Sequence, residues 1–294
     1  MKETPYPSLS INQPPGGAIN YTTFPPSGAN YQNYFIGSQS VVVDSADRLW
    51  VLDTGRVLMP NGVLVPASYG GPKLVGIDLS TNEIFTTIVF PTTVAYADSY
   101  LNDVRFDLNP ALTESGKGVA YITDSSSEGR SGLITVDLGT KKSWRHLDRL
   151  SKVKPEDQFV AYVQGTPLYT CPAPHQPYSH TAFGSDGIAL SADGATIYWK
   201  TVAGRYLYSI PTARLRDDGP YSEILAEESV VQHTQTGVTD GMETDTNGYI
   251  YQSVPISRRF TWALPRLLTF TNLAVIWSKT LSPSSIPRTA PIPY

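Results

Sequence analysis

The chain has 294 residues, length enough for one large domain or two small ones, and a hydrophobic fraction of 40% that supports a substantial core. Charged residues are only 16%, and the formal net charge of −4 argues against a nucleic-acid partner, which calls for a basic face or stripe. The slightly negative mean hydropathy excludes an integral membrane protein, and a single cysteine, Cys171, excludes both an internal disulfide and a zinc site built on several thiolates.

Met1-Lys2-Glu3-Thr4-Pro5 leads into a polar, Pro-rich stretch without an apolar core, so no signal peptide is expected there. Residues 1–36 read as a Pro/Tyr-rich segment contributing part of a first blade. From residue 37 the pattern is short strands between turn signals. Ser40–Asp44 is a strand, Asp47-Arg48 turns the chain, and Leu49–Asp53 returns. Lys73–Leu79 and Ile84–Phe90 complete a four-stranded meander. The same grammar recurs at Leu101–Asp107, Gly118–Asp124, Gly132–Leu138 and Ser143–Leu147. A third unit holds Ser185–Leu190, Thr196–Lys200 and Arg205–Ile210, and a fourth opens at Thr239–Asp245 and returns at Tyr249–Gln252. One short helix is expected, around Pro220 to Val231. Repeated meanders of this length predict an all-β fold, a β-propeller with about four recognisable blades, over residues 37–253. From Thr246 onward there is no Asp or Glu, the strand pattern is expected to stop at about Ser253, and residues 254–294 read as an aberrant or poorly ordered segment from a mis-predicted gene model.

Several of these segments carry a family signature. Leu49-Trp50-Val51-Leu52-Asp53-Thr54-Gly55 resembles the "LWVLDTG" strand of the major royal jelly protein/yellow family. Leu101–Asp107, Tyr121–Ser125, Gly184–Leu190 and Thr239–Met242 resemble later motifs of that family, in order and spacing. The resemblance implies a six-bladed propeller, present here as an incomplete copy, and usually a secreted protein. It also points toward fungal relatives of secondary metabolism, among them cofactor-free hetero-Diels–Alderases that join a quinone methide to a terpene alkene.

In a propeller, polar residues at the starts of the innermost strands converge on one mouth of the axial channel, the default place for a ligand. Here they are Gln39, Asn102, Asp103, Ser185, Asp186, Thr239 and Asp240. Asn102, Asp186 and Asp240 are the expected catalytic residues. Gln39, Asp103, Ser185 and Thr239 are expected to bind substrate, together with two histidines: His180, from the loop Pro172–His180, and His233, just ahead of the last strand start. The alternative for each Asp and Asn is a turn cap. His146, Lys200 and Arg205 are expected at the surface. Cofactor-free cycloaddition needs two reactants held in near-attack geometry and donors for the developing oxyanion, with Tyr and Trp walls around the terpene. No cofactor, no metal, no nucleic acid and no membrane are expected, only a small-molecule substrate; oligomeric state and localisation stay open. Two alternatives stand beside it. One is a metal-dependent lactonase of the gluconolactonase type, in which Asn102, Asp186 and Asp240 would ligate a hard cation but Gln39 stands where a carboxylate is needed. The other is a non-enzymatic secreted small-ligand carrier, in which an aromatic-lined channel with acidic rims would suit an amine.

Overall fold

Turn chemistry shows how the sequence makes its sheets. After β1 (Ser38–Val43), the Asp44 carboxylate accepts from the backbone N–H groups of Ala46 and Arg48 at 2.9 and 3.1 Å, and Asp47 takes φ 55°. Asp245 repeats the device, accepting from the N–H groups of Asn247 and Tyr249 at 2.9 Å each, with Gly248 at φ 80°. An aspartate bonding its own backbone two residues on, followed by a residue that tolerates positive φ, reverses the chain tightly.

The structure, a computed structural model, describes residues 4–28, 30–163, 165–170, 177–255 and 273–279. β1, β2 (Arg48–Thr54), β3 (Pro72–Asp78) and β4 (Glu83–Val89) pair antiparallel in sequence order. β5 (Leu101–Asp107), β6 (Val119–Asp124), β7 (Gly132–Asp137) and β8 (Ser143–His146) repeat that order. Two small hairpins follow, β9 (Tyr162–Val163) with β10 (Thr166–Pro167), and β11 (Tyr169–Thr170) with β12 (Ser179–His180). The third sheet is β13 (Ser185–Leu190), β14 (Thr196–Thr201), β15 (Tyr206–Pro211) and β16 (Val231–Gln235). The last is β17 (Met242–Thr244), β18 (Tyr249–Pro255) and β19 (Leu273–Lys279). The first strands β1, β5, β13 and β17 are neighbours in that order, so each meander runs outward from a shared axis. This is β-propeller architecture, all-β and incomplete, with four blades among the described residues.

Three details differ from expectation. Residues 4–28 and 30–36 contribute a 3₁₀ turn, Tyr31–Asn33, and no strand among the described residues, as their Pro and Gly density favours. The helical stretch is two short helices, α1 (Thr212–Arg216) and α2 (Ser222–Glu228). The strand pattern continues past Ser253, because β18 runs to Pro255 and β19 pairs along its whole length. No helix among the described residues is long and apolar enough to cross a membrane.

The core lies between successive blades. Trp50 and Leu52 pack on Val104, Ala120 and Ile122; Val119 and Tyr121 pack on Ile188 and Trp199; Tyr198 and Leu207 pack on Met242 and Ile250. Each large apolar side chain so buried contributes roughly 1.5–3 kcal/mol. Two side chains expected at the surface are inside. His146 is buried against the segment after α1, its pKa lowered by burial against the opposing charge of Asp217. Lys200 is fully buried, donates to the Gly204 carbonyl oxygen at 2.8 Å, and has its pKa lowered by burial to about 8. Arg205 is exposed as expected and pairs with Glu156.

Candidate functional site

Three of the four innermost strands share an irregularity at their starts. Pairing shifts between Ser38 and Ser40 in β1, between Leu101 and Val104 in β5, and between Ser185 and Ile188 in β13. An extra residue of this kind bends the strand and re-aims a side chain, a device common beside binding sites. Register makes the positions equivalent. Val41, Val104, Ile188 and Met242 face Val51, Ile122, Trp199 and Gln252 on the second strands. Two residues ahead of each stand Gln39, Asn102, Asp186 and Asp240.

These four converge. Together with Asp103 they line a cavity of about 380 Å³, completed by Ser40, Gly241 and Ser253. Gly187 permits the approach: a Cβ there would collide with the Asp240 carbonyl oxygen, so only glycine lets β13 and the start of the last blade come this close.

The polar groups are ordered by hydrogen bonds. The Tyr100 hydroxyl donates to Gln39 Oε1 at 2.8 Å, and Gln39 Nε2 donates to Asn102 Oδ1 at 2.8 Å. Asp103 Oδ1 accepts from Ser40 Oγ at 3.0 Å and from the Val104 N–H at 2.8 Å, and pairs with Arg105 Nη1 at 2.9 Å. Arg105 continues across the axis to Glu243, with Nε to Oε2 at 3.2 Å, and its guanidinium donates to the Met242 carbonyl oxygen.

Asp186 is the exception. It is 5% exposed, and its Oδ1 has no hydrogen-bond partner among the described residues. Burial raises its pKa well above the usual carboxylate range; the facing Asp240 and the Asp103 charge raise it further, while the Asn102 amide acts against them. Asp240 sits at the open rim as a residue, yet its carboxyl faces Asp186. Its pKa is raised too, by burial and the Asp103 charge against a lowering contribution from Asp186. Two carboxyls in this relation titrate as a pair and share one proton over a range of pH.

The other expected site residues are elsewhere. Ser185 is buried and its hydroxyl donates to the Asp124 and Gly132 carbonyl oxygens at 2.9 and 3.1 Å, tying the third blade to the second. Thr239 is buried and donates to Gln252 Oε1 at 3.1 Å. His233 lies on the outermost strand β16, where Nε2 meets Ser209 Oγ at 2.7 Å; the chain passes from the rim of one blade to the axis within the next few residues, so sequence proximity misplaces it. His180 is exposed in β12, its ring 5.2 Å from that of Tyr169 and outside the cavity lining. Cys171 and His175 lie outside the described residues. The aromatic walls expected around a terpene, and the aromatic channel expected around an amine, are absent from the described lining of the cavity. Conversely, Tyr100, Ser40 and Arg105 belong to the site and were not expected. Ser40 adjoins Gln39 and matches Asp103 in register, which is the signal that would have found it.

The profile of the family "Major royal jelly protein" matches residues 36–259, most of the chain. The chain belongs to the major royal jelly protein family. Protein yellow of Drosophila pseudoobscura pseudoobscura is 26% identical over 246 residues, covering 75% of this chain and 39% of that protein. Major royal jelly protein 7 of Apis mellifera is 23% identical over 215 residues, covering 72% of this chain and 41% of that one. The chain thus spans about two-fifths of the length of these royal jelly and yellow relatives. Among solved structures, a gluconolactonase of Xanthomonas campestris aligns at TM-score 0.39 and 12% identity, over 74% of this chain and 55% of that one.

Proposed function

We propose that this royal jelly family chain binds a small cationic ligand, an organic amine, at the axial mouth. The carrying observation is the unpartnered Oδ1 of buried Asp186, which lines the cavity beside a second carboxyl. Arg105 is already paired to Asp103 and Glu243, so Asp186 and Asp240 gain no cation from it. An ammonium group supplies both a positive charge and N–H donors, and drives both carboxyls to the ionised form.

A second reading is the cofactor-free cycloaddition of a quinone methide with a terpene alkene. What favours it is the same raised pKa: a neutral Asp186 carboxyl can donate to a developing oxyanion. A metal-dependent lactonase fits less well. Gln39 stands where a carboxylate ligand is needed, and its Oε1 already accepts from the Tyr100 hydroxyl. No group of three or more His, Cys, Asp or Glu side chains placed for a metal occurs among the described residues.

The readings part on pH. Amine binding strengthens as pH rises through the raised pKa of the pair; donor catalysis weakens over the same range. Calorimetric titration with phenethylamine from pH 5 to 8 tests the first, with recovery of unchanged ligand marking a carrier. No heat at any pH ends the amine reading. Adduct formation from a quinone methide and an alkene that declines with rising pH supports the second, and a stoichiometric Ca²⁺ isotherm supports the lactonase.

A further inference from the structure

The cavity is reached by a one-way chain of hydrogen bonds. It begins outside the lining, at Tyr100, which precedes β5. The Tyr100 backbone is anchored at both ends: its N–H donates to Asp124 Oδ1 at 2.8 Å, and its carbonyl oxygen accepts from the Ser125 N–H at 2.9 Å. Its ring lies 6.5 Å from that of Phe183. The phenol therefore has a fixed position; burial and the Asp186 charge raise its pKa against the Arg56 charge, so it keeps the proton that it donates to Gln39.

With the Tyr100 hydroxyl donating, the two amides after it take one orientation. Gln39 must turn Oε1 toward Tyr100, so its Nε2 is what reaches Asn102. Asn102 must then turn Oδ1 toward Gln39, so its amide nitrogen is what remains for Asp186. The Asn102 amide does act on Asp186 as a donor does, opposing the rise caused by burial.

We propose that Tyr100 is a positioning residue for the mouth carboxyls: through Gln39 it holds the Asn102 amide with N–H toward Asp186, and so sets the pH at which the Asp186–Asp240 pair ionises. The charged and titratable groups that share this setting are Asp240 and Glu243 from the last blade, Asp103 and Arg105 from β5, Arg56 from the segment after β2, whose charge acts on the phenol, and Tyr100 itself. The consequence for ligand binding rests on the amine reading; the consequence for titration does not.

The test is Tyr100→Phe, which keeps the ring and removes the donor. Aspartate carboxyl ¹³C shifts are followed from pH 4 to 9 in the ligand-free full chain. The expected result is an upward move of the pair's apparent midpoint by about one unit, the scale of one hydrogen bond to a charged group. Gln39→Leu breaks the same chain one link later and is expected to give the same move, and the double variant no more than either. Phenethylamine affinity in Tyr100→Phe should fall up to about tenfold at a pH below the wild-type midpoint and match wild type well above the variant's own midpoint. An unchanged midpoint in both single variants overturns the proposal, even if the amine binds. A moved midpoint in a protein that binds no amine upholds it and overturns the amine reading alone.

Discussion

Asp53 and Asp124 lie at the same ends of their blades as Asp186 and Asp240, and all four serve different masters. Asp53 accepts from the N–H groups of Ile36, Gly37 and Gly55 at 2.8, 2.9 and 2.8 Å, and from Lys73 Nζ at 2.7 Å. Asp124 accepts from the Tyr100 and Ser126 N–H groups at 2.8 and 3.1 Å, and from Arg145 Nη1 at 2.8 Å. These carboxylates are filled: backbone donors and a buried cation use their lone pairs, and they stitch the strand ends together. Asp186 and Asp240 face each other instead, with one oxygen of Asp186 unused. The residue type is the same, and Asp186 is buried as Asp53 and Asp124 are, while Asp240 stands at the rim. Completion of the donor set separates scaffold from site.

The sharpest way to break that contrast is Asp53→Ala. It leaves Lys73 buried without its counter-charge and should cost about 3–5 kcal/mol in denaturant unfolding. A loss near zero would mean that filled carboxylates here are no more structural than open ones.

Lys200→Met tests the opposite case, a buried cation without a paired carboxylate. Its folded pKa lies below the unfolded value, so its charge destabilises the fold at neutral pH, and the penalty fades as pH rises from about 8 to the usual lysine value of 10.5. The variant is expected to be more stable than wild type at pH 7 by about 1–2 kcal/mol, with the gap narrowing above pH 8 and closing only as pH passes 10.5. A gap that does not change with pH contradicts the sign.

Asp186→Asn sharpens the site half of the comparison. A raised carboxyl pKa means stability that is present below the unfolded pKa and lost as pH rises through the folded one. The asparagine keeps that stability, so the variant should melt about 2–4 °C above wild type at pH 7 and level with it at pH 4. Its phenethylamine affinity should drop at least tenfold. His233→Ala is the smallest effect: loss of the Ser209 contact costs about 1 kcal/mol, and amine affinity stays at the wild-type value.

The strand starts were legible in the sequence because their pattern is local. A polar residue two positions ahead of an apolar inner-strand residue recurs at Gln39, Asn102, Asp186 and Asp240, and in the first three blades the bulge beside it belongs to the same strand. Contacts between blades were not legible. Tyr100 acts on a residue 61 positions away, and Arg105 reaches Met242 across 137. Lys200 looks like the polar end of a strand, and only the segments folded over β14 bury it. The 18 tyrosines suggested an aromatic channel, yet Tyr121 and Tyr198 fill blade interfaces while Tyr69 and Tyr178 stand in solvent.

The core comes in separate parcels, one between each pair of neighbouring blades, and this bears on how the fold comes apart. Stability of such an array is a sum of nearest-neighbour couplings rather than one indivisible transition. Among the described residues the parcel between the third and fourth blades is the smallest of the three, five buried residues around Tyr198 and Met242, against fourteen around Trp50 and Leu101. Amide hydrogens should therefore exchange in steps, first in β17 and β18 and last in β2 and β6. The mouth is built across that gradient, with Asp240 on the weakest blade and Asn102 on the strongest, so local opening of one blade dismantles the cavity while the rest of the molecule stays folded.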